Sequence, residues 1–109
     1  MNAKRRIPLS VDYSPQSRRD LFAIADWNEK EYGVAHAARY IGFLKKIVVS
    51  LGRDEIEGHG IEERPDLRFV LARRRNRGHG HVVVYRVHRS AIEIVRLFHT
   101  AEDWTSKLS

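Results

Sequence analysis

The sequence contains no cysteine, which removes a disulfide framework, thiol catalysis and cysteine-bound zinc together. The fold must be held by packing alone. It also lacks any run approaching the roughly 20 apolar residues that a membrane span needs. The basic start Met1-Asn2-Ala3-Lys4-Arg5-Arg6 is followed not by a signal-peptide core but by an alternating stretch broken at Pro8 and Asp12. A soluble, cytoplasmic protein with no membrane partner is therefore expected. There is no internal repeat, and the one low-complexity run is Arg73-Arg74-Arg75-Asn76-Arg77-Gly78. His79, His81 and the more distant His59 have no carboxylate or third histidine at a metal-binding spacing, so neither a metal nor another cofactor is expected.

What is present is positive charge, most of it arginine. Lys and Arg number 20 against 14 Asp and Glu, a formal charge of +6. Arginine keeps its charge at any working pH and offers a planar fork to phosphate or carboxylate, so the bias points to an anionic partner. Charge alone does not choose between RNA, DNA and an acidic protein. The 109 residues suffice for one domain, spanning 1–109, with a single core.

Periodicity divides the chain. Ile7, Leu9, Val11 and Tyr13 alternate with polar residues and Pro8, which predicts a strand over 7–13. Ser14 is placed to cap a helix that begins at Pro15, with Leu21, Phe22, Ile24, Ala25 and Asn28 on its inner side and Gly33 as its stop. Ala37, Tyr40, Ile41, Leu44, Ile47, Val48 and Leu51 recur at three- and four-residue intervals, predicting a second helix over 34–51 ended by Gly52. The polar stretch 53–66 reads as an extended loop with Ile56 and Ile61 tucked inward.

Three β-branched and aromatic runs follow, at 67–71, 81–87 and 91–97, joined by short polar turns. They predict an antiparallel meander, and residues 101–108 a short terminal helix capped by Thr100. The order is β-α-α-β-β-β, an α+β fold with the helical hairpin on one face of the sheet. In 81–87 both alternate sets carry apolar residues, as a central strand covered on both faces requires. The second face needs a cover of its own or a partner.

The chemistry-bearing residues gather in this last third. Arg68, Arg86 and Arg96 fall one to a strand and would cluster in space; His99 follows the last strand. A metal-free ribonuclease needs a base, an acid and a group that stabilises charge on phosphorus, roles open to Arg68, Arg96 and His99, with Glu62, Glu63 or Glu93 as alternative bases. The plainer reading of His99 is a hydrogen-bonded histidine packed under Trp104. Arg73, Arg74, Arg75 and Arg77 are either a solvated hairpin tip or a contact for phosphate or an acidic surface. Tyr85 is either core or a stacking platform for a base.

Val11-Asp12-Tyr13-Ser14-Pro15 leading into Arg19-Asp20-Leu21, Gly33 with Ala37-Ala38-Arg39-Tyr40-Ile41, Pro65-Asp66-Leu67-Arg68, Val83-Val84-Tyr85-Arg86-Val87 and Ile92-Glu93-Ile94-Val95-Arg96-Leu97-Phe98-His99 form, in this order, a pattern that resembles the RelE/ParE superfamily of bacterial toxins, its ParE-like plasmid-stabilisation branch most of all. The resemblance implies a small α+β toxin of a type II toxin–antitoxin module, bound by an acidic or partly disordered antitoxin that folds on it. It implies two activities to choose between. A ParE-like toxin poisons DNA gyrase without an established catalytic set; a RelE-like toxin cuts messenger RNA on the ribosome, with Arg68, Arg96 and His99 where its site would lie. The helical hairpin and the Val84-Tyr85-Arg86-Val87 strand favour ParE, and Thr100 stands where some nucleases carry an aromatic residue. On the gyrase reading Arg73, Arg74, Arg75, Arg77, Arg86 and Tyr85 would serve partner binding. A basic binding module without toxicity is the third expectation.

Overall fold

A computed structural model of the chain describes residues 7–74 and 79–108. Strand β1 (Ser10–Tyr13) is followed by helices α1 (Pro15–Tyr32) and α2 (Val34–Gly52), and then by strands β2 (His59–Gly60), β3 (Arg68–Ala72), β4 (His81–Val87) and β5 (Ala91–His99). The strands form one sheet in the order β1-β5-β4-β3-β2. β3, β4 and β5 are the expected antiparallel meander, while β1 lies parallel to β5. That parallel pairing is possible because the hairpin α1–α2 and the meander separate the two strands in sequence, giving the long crossover a parallel neighbour requires.

The caps explain where the helices begin and end. The Ser14 hydroxyl accepts the Ser17 N–H at 3.0 Å, and Pro15, with no N–H to satisfy, opens α1. Gly33 has φ of 94°, a conformation a side chain would resist, and its N–H donates to Glu29 O. α1 therefore stops there and the chain reverses into α2.

Leu44, Val48 and Leu51 of α2 pack on Val70, Val83, Tyr85, Ile92, Ile94 and Leu97 to make the main core. The opposite face of the sheet is covered by the chain itself: Ile61, Leu67 and Leu108 close over Val82, Val84 and Phe98, with Phe69, Val95 and Trp104 at the margin. No partner is needed to bury that face. Between β4 and β5 the register shifts, Val84 facing Arg96 while Tyr85 faces Ile94, so Val95 is an extra residue in β5. This β-bulge puts Ile94 and Leu97 in one core and Val95 and Phe98 in the other, which strict alternation does not allow.

Several expectations are corrected. Strand β1 is shorter than 7–13. The loop over 53–66 contains the two-residue strand β2, which pairs with β3. The terminal helix is a single 3₁₀ turn, Thr105–Lys107. Phe22 is 76% exposed rather than on the inner side of α1, because it sits about 100° around the helix from Leu21. Gly52 closes α2 from inside and Arg53 follows it as the cap; a Cβ at Gly52 would meet Leu9 O at 2.9 Å, so this glycine lets β1 approach.

Candidate functional site

A cleft of about 1040 Å³ opens between the helical hairpin and the ends of β4 and β5. Ile24, Trp27 and Tyr32 form its α1 wall, Arg39 and Tyr40 of α2 stand beside them, and His79, His81 and His99 close its inner end. The His79 and His99 rings are 5.1 Å apart, and the His81 and His99 rings 5.5 Å apart and edge-on. The sheet register makes this meeting, since His81 pairs directly with His99 across β4 and β5.

The Tyr40 hydroxyl lies 2.5 Å from His81 Nδ1. Burial pushes the Tyr40 hydroxyl up to about 12, with Arg74 acting the other way, so it stays protonated and can donate. Burial, helped by His99, lowers His81 to about 4, against a small opposing effect of Glu102. His81 is thus a neutral imidazole; with the Tyr40 hydroxyl as donor, Nδ1 accepts and the ring proton sits on Nε2. His99 Nδ1 accepts the Ala101 N–H at 3.0 Å, and the His99 N–H donates to Glu102 Oε1 at 2.9 Å. Lys107 and the His99 N–H hold the Glu102 carboxyl below its ordinary range. His99 packs against histidines and not under Trp104, which instead contacts Phe69 and Phe98.

Arg96 lines the cleft but is already engaged. Its Nε donates to Asp20 at 2.9 Å, and its guanidinium lies 4.4 Å from the Phe98 ring. Arg68 donates to Gly58 O at 2.6 Å. Arg86 bridges Asp66 and Glu93, each at 3.0 Å. Hydrogen bonds from Arg64 and then Arg86 bring Asp66 down to about 2. The three strand arginines do not gather at one place: Arg96 is tied to Asp20, Arg68 to Gly58 O, and Arg86 to Asp66 and Glu93. Arg68 and Arg86 share a second recess of about 650 Å³ with Asp66 and Glu62, away from the histidines. The row holding Arg68 is four residues from the row holding His99, roughly 13 Å along the strands.

Tyr85 as a stacking platform is overturned. It is 4% exposed, in the main core, and its hydroxyl occupies the space above Gly58 where a Cβ would come within 1.8 Å. Arg73 and Arg74 are exposed just past β3, whereas Arg75 and Arg77 lie outside the described residues. Among the described residues no group of three or more His, Cys, Asp or Glu is arranged to hold a metal ion. No helix among them is long and apolar enough to cross a membrane. Sequence reasoning missed Asp20 and Tyr40 as site residues. Tyr40 was legible only as part of the apolar stripe of α2, and nothing local links position 40 to 81.

Residues 11–104 match the family model described as the ParE toxin of the type II toxin-antitoxin system, parDE. The fold is similar to a structure of the chromosomal ParDE toxin–antitoxin system from P. aeruginosa, with TM-score 0.66 at 23% identity over 82% of this chain and 92% of that one. It is also similar to a chain of the RelBE2 toxin–antitoxin complex from Mycobacterium tuberculosis, with TM-score 0.62 at 20% identity over 92% of this chain and 100% of that one. A conserved hypothetical protein from Helicobacter pylori superposes with TM-score 0.51 at 16% identity over 86% and 97% of the two chains. No curated protein matches in sequence.

Proposed function

Because the chain belongs to the ParE toxin family of type II toxin–antitoxin systems, we propose that it arrests growth by binding DNA gyrase, performs no chemistry of its own, and is neutralised by a cognate antitoxin. One observation carries the choice against nuclease chemistry: Arg68 lies in a separate recess from Arg96 and His99, which line one cleft, so the three do not surround a single phosphate. Metal-free cleavage of a phosphodiester needs an acid, a base and a charge stabiliser around a single phosphate. Here Arg96 is committed to Asp20, Arg68 to Gly58 O in the other recess, and His99 Nδ1 to Ala101.

An antitoxin partner is supported by the complexes from P. aeruginosa and M. tuberculosis, which are toxin–antitoxin systems. The endoribonuclease reading, with ribosome and messenger RNA as partners, has one observation in its favour, the meeting of His79, His81, His99 and Tyr40 at one end of the cleft.

Controlled expression of the chain, with and without the adjacent small reading frame, separates the readings. Gyrase–DNA cleavage complexes and DNA-damage signalling should precede any loss of message, and the adjacent product should restore growth. Messages cut within codons before DNA damage would overturn the gyrase reading. His99→Ala should retain full growth arrest; loss of arrest in a folded variant would place His99 in a nuclease site. Unhampered growth would return the chain to a basic binding module.

A further inference from the structure

Resting on the gyrase reading above, which sets the chain beside duplex DNA, we propose that the outer face of α2 is a sequence-independent contact for the phosphate backbone of double-stranded DNA, carried by Arg39, Lys45, Lys46 and Arg53.

No Asp or Glu occurs from Tyr32 to Arg53, so α2 and the residue that caps it carry positive charge only. Arg39, Lys46 and Arg53 follow one another at intervals of seven. Seven residues make two turns less about 20°, so the three stand in one nearly straight row about 21 Å long. Lys45 flanks the same face on the other side of Gly42. All four cations are exposed, and none forms an ion pair with an acidic residue among the described ones. Their mutual repulsion costs the free protein a little, and an anion long enough to span them all relieves it. Little stands between them: Ala38, Gly42 and Val49 are short, and a Cβ at Gly42 would meet nothing within 4 Å.

The make-up of this face selects the anion. The buried centre of a protein interface is rich in aromatic side chains and poor in lysine. Here two lysines stand at the centre, and the aromatics of α2, Tyr40 and Phe43, pack toward the core. A single strand of DNA or RNA is gripped by stacking its bases on aromatic rings. The exposed rings nearby, Trp27 and Tyr32, belong to α1 and not to this face. A duplex hides its bases and presents a straight, uniform line of charge, with about a dozen phosphates over the length of the row. Cations in a row on a rigid helix, with no rings and no acids among them, complement that and nothing more specific.

The test uses the full chain and a labelled DNA duplex of about 20 base pairs, followed by fluorescence anisotropy at several salt concentrations. The expected result is binding that ignores base sequence, with a log–log salt slope at least as steep as about −3, since each neutralised phosphate contributes about −0.9. Lys45→Gln combined with Lys46→Gln should flatten the slope by about 2 and leave the melting curve in place. Gly42→Glu sets a carboxylate four residues before Lys46 in open space, where it pairs with that lysine. It should weaken binding about fivefold to tenfold at 0.1 M salt without lowering the melting temperature. No binding at low salt, or a slope that the lysine pair leaves unchanged, overturns the proposal. Tighter binding of poly-glutamate, of a single strand or of duplex RNA of equal charge assigns the face to that partner and overturns it as well. Naked duplex requires no gyrase, so growth arrest without gyrase–DNA cleavage complexes would sink the gyrase reading and leave this measurement as it stands.

Discussion

One carboxylate of α1, Asp20, accepts both the Arg96 guanidinium and the Leu97 backbone N–H, each at 2.9 Å. Beyond Ile94 strand β5 has no β1 residue beside it, and α1 takes over that edge: the Ser14 hydroxyl donates to Val95 O and Asp20 receives the next free donor. The pair closes a sheet edge and holds an arginine that a nuclease would need free.

Replacing Asp20 should therefore cost more than an exposed ion pair. Its side chain is 10% exposed, and Asp20→Ala leaves a half-buried guanidinium and a backbone N–H without their acceptor. The expected loss is about 2–3 kcal/mol in urea unfolding. A loss below about 0.5 kcal/mol, the scale of a surface pair, would show that the edge is held by other contacts.

Gly58 is where the loop after α2 passes over Tyr85. A Cβ there would lie 1.8 Å from the Tyr85 hydroxyl and 2.7 Å from the ring carbon bearing it. Gly58→Ala should destabilise the fold by about 1–3 kcal/mol, an overpacking cost. Tyr85→Phe in the same chain should recover part of that loss, since it removes the nearest clashing atom and leaves the ring. Full additivity of the two changes in denaturant titration would contradict this contact.

The acid side of the stability profile should carry the mark of His81. Its folded value is about 4 against 6.5 in the free side chain, so the unfolded chain binds the proton more readily. Stability is thus undiminished above about pH 6.5, falls as pH drops toward 4, and changes little on this account below that. The span is worth on the order of 3 kcal/mol. His81→Gln should flatten this part of the curve, as measured by urea midpoints at several pH values. An unchanged slope would assign the acid sensitivity elsewhere.

The arginines after β3 can be tested as a group. Changing Arg73, Arg74, Arg75 and Arg77 together to Ser should weaken binding to the gyrase–DNA complex or to the antitoxin and flatten its dependence on salt, because fewer counterions are released. An unchanged salt slope would make the run a solvated tip. Changing Arg73 and Arg74 alone, both exposed, should move folding stability by less than about 0.5 kcal/mol.

The sequence alone determined the first strand, the two helices and the three meander strands in their order, because those depend on local signals; β2, which exists only by pairing with β3, left none. Ser14-Pro15 and Gly33 delimit α1 through hydrogen bonds and backbone angles that span a few residues, and the stripe from Ala37 to Leu51 needs only the helical repeat. The β-branched runs fixed β3, β4 and β5 in the same way. Only the tertiary structure decided what the functional side chains do. The parallel seat of β1, the extra Val95 in β5 and the approach of α1 to that strand place Asp20 beside Arg96, across 76 positions of chain. The cross-strand register brings His81 to His99, and the packing of α2 brings Tyr40 to His81. One arginine to a strand suggests three gathered on one sheet; instead Arg68 and Arg86 line one recess while Arg96 is held by Asp20 in the other cleft. Partners so distant in sequence leave no local pattern, since their meeting depends on how whole elements pack.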